Sequence, residues 1–144
     1  MTARIEITNI NEVLRGLDNT GDRLQEAVKY AIGRAGRAVD RQAKLNASTG
    51  VHKRGTPRIP GSGPGPNVIT GNLRRSIRTK VVGFGDTYAA EVSASAIYAR
   101  AVEKGLPEWN GVKYPYLEPA AVRLSDNGTL RRVFIQHFAE KMRG

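Results

Sequence analysis

The residue types able to carry reaction chemistry are few here, and their spacing does not assemble them. The 144 residues include two histidines, His52 and His137, and no cysteine. Without a thiol there is no thiolate nucleophile, no disulfide framework and no Cys-ligated zinc or iron–sulfur site. Neither histidine has a second histidine four residues on, or a carboxylate cluster beside it, as helix-borne metal ligands do. His52 stands beside Lys53 and Arg54, while His137 follows Phe134 by three residues at the edge of an apolar helix face. Gly61-Ser62-Gly63-Pro64-Gly65-Pro66 is glycine-rich like a phosphate loop, but it lacks the Gly-Lys-Ser/Thr ending, and its prolines remove amides that would cradle a phosphate. Glu103, Glu108 and Glu118 read as solvated carboxylates. The chain therefore reads as non-enzymatic, with no catalytic residue, metal or cofactor site.

Charge is the property that stands out. The formal net charge is +10, from 23 Lys and Arg against 13 Asp and Glu. Between Arg41 and Gly85 there are nine basic residues and no acid, leaving 14 basic against 13 acidic residues elsewhere, so the excess belongs to one segment. Such a segment can neutralise phosphates and release counterions without reading sequence. It can equally meet an acidic partner, or simply be a solvated face. No aromatic residue lies between Lys44 and Arg74 to stack on a base, and no recognition helix or RNA-binding signature is present.

The elements that would position these groups follow from periodicity. A length of 144 residues with 40% hydrophobic and 25% charged content suits one globular domain, 1–144. No apolar run approaches the roughly 20 residues of a membrane span. The N-terminus lacks the charged and apolar regions of a secretory signal, and the absence of cysteine fits a cytosolic origin. Arg4 to Thr8 alternates, predicting a short edge strand, and Asn9 or Asn11 is placed to cap a helical turn through Leu14 and Leu17. Leu24, Ala27, Val28, Ala31, Ile32, Ala35, Ala38 and Val39 recur at helical steps and predict an amphipathic helix running to about Lys44. Arg34, Arg37, Arg41 and Lys44 form a basic stripe on the same helix. Gly33 and Gly36, each about 1 kcal/mol unfavourable in a helix relative to Ala, imply a close-packed neighbour.

Thr49 to Gly71 then holds six Gly and four Pro in 23 residues, a long irregular segment whose basic stretch 51–67 reads as an arm that orders on assembly. Thr70 is placed to cap a short turn leading to Ile77, and two alternating runs around Gly83-Phe84-Gly85-Asp86 predict a hairpin. A helix from Ala96 to Lys104 ended by Gly105, a tight turn at Asn110-Gly111, a helix opened by Pro119 and broken at Asp126-Asn127-Gly128, and a terminal apolar face of Leu130, Val133, Phe134, Phe138 and Met142 complete the reading. The class is α+β: a long N-terminal helix and a C-terminal helix on a small, mainly antiparallel sheet.

Three ordered blocks give this pattern a likeness. Thr70-Gly71-Asn72-Leu73-Arg74-Arg75-Ser76-Ile77, Tyr98-Ala99-Arg100-Ala101-Val102-Glu103-Lys104-Gly105 and Tyr114-Pro115-Tyr116-Leu117-Glu118-Pro119-Ala120 resemble the tail-completion and neck proteins of long-tailed double-stranded DNA bacteriophages, over the whole length of the chain. The stretch from Val51 to Asn67 is longer and richer in Gly and Pro than that family's pattern. The resemblance implies a structural virion protein, assembled in the host cytoplasm, that forms a ring, commonly six-fold, between the head-side connector or stopper and the tail tube. It further implies genomic DNA passing through without sequence-specific binding, no membrane and no cofactor. On this reading Thr70, Gly71, Leu73, Ile77, Tyr98, Gly105, Pro115, Leu117 and Pro119 determine the fold. Lys53, Arg54, Arg58, Arg74, Arg75 and Arg78 would meet Glu103, Glu108 and Glu118 of a neighbour in a head-to-tail interface. The alternative is a basic, sequence-independent nucleic-acid-binding protein.

Overall fold

Alternation along Thr2–Ile7 builds strand β1, with Arg4 and Glu6 exposed and Ala3 and Ile5 turned toward the interior. The computed structural model describes residues 1–7, 21–48, 71–84, 87–109 and 113–144. The expected turn through Leu14 and Leu17, the arm 51–67 with Lys53, Arg54 and Arg58, Thr70, the Gly85-Asp86 turn and the Asn110-Gly111 turn all lie outside these residues.

The expected hairpin forms from β2 (Ile77–Phe84) and β3 (Thr87–Ala94), in antiparallel register from Ile77 opposite Ala94 to Phe84 opposite Thr87. β1 pairs antiparallel with the other edge of β3, Ala3 opposite Val92 and Ile5 opposite Ala90, so the sheet order is β1-β3-β2 with β1 at an edge. Period-two alternation sorts the two faces. Ile77, Thr79, Ala90, Val92 and Ala94 face the helices, whereas Arg4, Arg78, Lys80 and Glu91 lie on the other side.

Helix α1 (Gly21–Asn46) lies across the inner face and extends two residues past its expected end. Its small residues allow close approach: a Cβ at Gly36 would stand 2.7 Å from both Ala90 Cβ and Thr79 Cγ2, and one at Gly33 would stand 3.1 Å from Val81 Cγ2. This is the neighbour that the two glycines implied. The opposite side of α1 carries the terminal helix α5 (Thr129–Arg143), so α1 separates the sheet from α5. Arg23 of α1 donates to the Met142 carbonyl, while Tyr30 meets the edge of the His137 ring at 5.9 Å, which sets the two helices antiparallel. His137 is thus a packed seam residue, its Nδ1 2.8 Å from Glu140 Oε2. Hydrogen bonds from Gln136 and His137 hold the Glu140 carboxyl below the usual carboxylate range.

Three shorter helices complete the fold. α2 (Asn72–Ser76) has Gly71 at its N-cap in the left-handed conformation (φ 75°). α3 (Ala99–Lys104) begins three residues later than expected because Ala96 to Ala99 form a separate turn, and Gly105 (φ 79°) ends it. α4 (Leu117–Asp126) stops before Asn127 and Gly128 (φ 74°), the expected break.

Candidate functional site

The three sequence blocks converge on one cluster. Leu73 and Ile77 from the first, Ala99 from the second, and Tyr116, Leu117 and Ala120 from the third are buried together with Val39, Ala43 and Val92. Arg74 and Arg75 from the first block stay outside it. Tyr98 is 44% exposed, so it serves through its backbone: its carbonyl accepts from the Val102 amide at 3.0 Å.

Glu103 ties the second block to the third. An α-helix leaves its first four N–H groups without an internal partner. In α4 these positions are Tyr116, Leu117, Glu118 and Pro119. Glu103 Oε2 accepts from the amides of Tyr116 at 2.8 Å and Leu117 at 3.0 Å, and Oε1 accepts from Glu118 at 2.8 Å. Pro119 has no N–H, so one carboxylate satisfies every donor at this helix end. This geometry corrects two expectations. Glu103 is 1% exposed and has no surface to offer a neighbouring subunit. Pro119 is the third residue of its helix, where the missing donor matters, rather than the first. Burial, with Glu103 next, pushes the Tyr116 phenol above its usual range, so its hydroxyl remains a donor toward the Ala99 carbonyl, 3.5 Å away. Asn46 Nδ2 donates to the Tyr116 carbonyl at 3.0 Å and fastens the end of α1 to the same point.

Of the acids expected in one patch, only Glu108 and Glu118 are exposed. Glu118 lies 2.7 Å from Lys104 Nζ, whose hydrogen bond and charge hold its carboxyl below the usual range and are matched by a rise at Lys104. A group depressed by folding contributes stability above its unfolded value and loses that contribution as pH falls through its folded value. Lys104→Met should therefore move the Glu118 titration, followed by carboxyl NMR shifts, back up toward an ordinary glutamate. At this exposed pair the melting temperature should hardly change. A titration unmoved by the substitution would show the ion pair to be absent in solution.

The basic residues divide between two faces. Arg78 lies on the outer sheet face and donates to the Ile77 carbonyl at 3.0 Å, and Arg75 donates to Asn72 Oδ1 at 2.6 Å. Arg74 instead turns toward the C-terminal half of α1, where its Nη1 donates to Ser48 Oγ at 3.1 Å. There it closes an open groove of about 490 Å³ whose other cations are Arg37, Arg41 and Lys44. One acid, Asp40, enters it, already engaged by Lys44 at 2.6 Å and by the Thr79 hydroxyl at 3.2 Å. Four cations against one paired carboxylate leave the groove strongly positive. The helix stripe made three of these cations legible; Asp40 and Ser48 carried no such signal, because their partners come from β2 and α2.

Among the described residues no group of three or more His, Asp or Glu is placed to hold a metal, and no helix is long and apolar enough to cross a membrane. Compared with known proteins, the chain matches no family model, no curated protein sequence and no solved structure.

Proposed function

We propose that this chain is a structural subunit of a bacteriophage neck, forming a six-membered ring that completes or terminates the tail and joins it to the head connector. The observation carrying this reading is the convergence of the three family-like blocks: their apolar residues share one core cluster, and Glu103 of the second caps the helix of the third. The partners are further copies of the chain, the head-side stopper or connector and the tail tube protein, with genomic DNA passing through the centre. Because Glu103 is buried, the inter-subunit contact relies on other acids, with Glu108 and Glu118 remaining.

A reconstruction of the virion neck should contain six copies in a closed ring. One copy, or a closed two-fold pair, overturns the proposal. Lysates lacking the protein separate its two forms: unjoined heads beside finished tails mark a joining role, and tails of uncontrolled length mark a terminator. The groove around Arg74 favours the second reading, a sequence-independent nucleic-acid-binding protein; that protein would bind DNA as a small species and appear in no ring.

A further inference from the structure

We propose that the groove between the C-terminal half of α1 and Arg74 is a track for the phosphate backbone of double-stranded DNA, read without regard to sequence. Arg37, Arg41 and Lys44 follow one another at steps of four and three residues, so they fall in a line about 10 Å long on a rigid helix. That length spans about three phosphates of one strand, which follow at roughly 3.4 Å along a duplex axis. Arg74 faces this line from α2, its guanidinium oriented by Ser48, whose own hydroxyl donates to the Lys44 carbonyl at 2.7 Å. Among the described residues Arg41 has no carboxylate partner, and it is exposed.

The duplex is favoured over other polyanions for two reasons. The groove's remaining wall is Asp40, held by Lys44, with Leu45 and Ser48, and no aromatic ring on which an unpaired base could stack, whereas single-strand binders rely on such platforms. A rigid line of charge also fits a rigid array of phosphates better than it fits a flexible acidic peptide, whose ordering costs entropy. The inference stands on this charge geometry and holds whether or not the chain assembles into a ring.

The test uses the full chain and a labelled 20-base-pair duplex of arbitrary sequence, with binding followed by fluorescence anisotropy as salt is raised. About three phosphate contacts predict a salt slope near −3 and roughly a fortyfold loss of affinity between 50 and 200 mM salt. Arg41→Ala with Arg74→Ala should reduce the slope by about two and weaken binding equally on unrelated sequences. Arg123→Ala with Arg131→Ala removes the same charge from α4 and α5, from residues that do not line the groove, and should leave the slope nearly unchanged. Equal loss in both pairs means that binding follows total charge, which overturns the proposal, as does an unaltered slope in the groove pair. A preference for single-stranded DNA of the same length, or for polyglutamate over the duplex, overturns it in favour of a different partner. All four arginines are exposed, so thermal unfolding of both variants should match the parent and confirm that binding is read on folded protein.

Discussion

Replacing Glu103 by alanine is expected to lower the melting temperature on the order of 12 °C. The carboxylate accepts from three amides, two of them belonging to Tyr116 and Leu117, which are fully buried. A buried donor left without a partner costs about 1–3 kcal/mol, so the three together should cost about 4 kcal/mol once Glu118, at the helix edge, turns to water. That is a large share of the roughly 5–15 kcal/mol that holds a domain folded, and each kcal/mol corresponds to about 3 °C for a chain of this size. Glu103→Gln should recover about half. Its one carbonyl oxygen can still serve Tyr116 and Leu117, but its amide nitrogen would face the Glu118 N–H, donor against donor. Pro119→Ala restores a fourth N–H at an exposed position that water can reach, and should cost less than about 1 kcal/mol. Hydrogen exchange supplies a second readout: the amides of residues 116–118 should lose protection in the alanine variant before the rest of α4. If Glu103→Ala melts within about 3 °C of the parent, water is reaching those amides and the two blocks are not fastened by this carboxylate.

What the sequence made legible here was whatever depends on near neighbours along the chain. The stripe from Leu24 to Val39 became α1, the two alternating runs became the hairpin, Gly105 ended α3, and Asn127-Gly128 separated α4 from α5. The role of Glu103 was invisible because its partners lie 13 to 15 residues away and are backbone amides, which have no residue type to recognise. Proximity along the chain alone groups this acid with Glu108 and Glu118. The basic segment failed differently. Arg74, Arg75 and Arg78 are close in sequence, yet α2 gives way to β2 between them, and strand alternation sends Arg78 to the outer face while Arg74 joins residues of α1 more than 25 positions earlier. The excess of charge could be counted from the sequence, but which cations share a surface depends on where the sheet begins.

Gly36→Ala should destabilise the protein even though alanine favours a helix over glycine by about 1 kcal/mol. The added methyl would lie 2.7 Å from Ala90 Cβ and from Thr79 Cγ2, inside the distance at which carbon atoms can remain. Ala90 has no rotamer with which to retreat, since its Cβ is fixed to the central strand, so α1 and the sheet must separate. Overpacking costs about 1–3 kcal/mol, and two contacts at 2.7 Å place Gly36 in the upper part of that range; about 1–2 kcal/mol then remains after the gain in propensity, lowering the melting temperature by about 3–6 °C. The damage should also reach the groove. Thr79 donates to Asp40 at 3.2 Å, and Asp40 holds Lys44 at 2.6 Å, so moving Thr79 away from α1 loosens that chain of contacts. Gly33→Ala provides the comparison, one helical turn earlier. Its methyl would lie 3.1 Å from Val81 Cγ2, the tip of a side chain that is 38% exposed and can turn toward solvent. Propensity should then prevail, and the variant should be as stable as the parent or slightly more so. Thermal unfolding of the two variants side by side isolates the spacing between layers, because the substitution, the helix and the gain in propensity are the same in both. Equal behaviour would mean that α1 does not approach the sheet as closely at Gly36 as the contact with Ala90 requires.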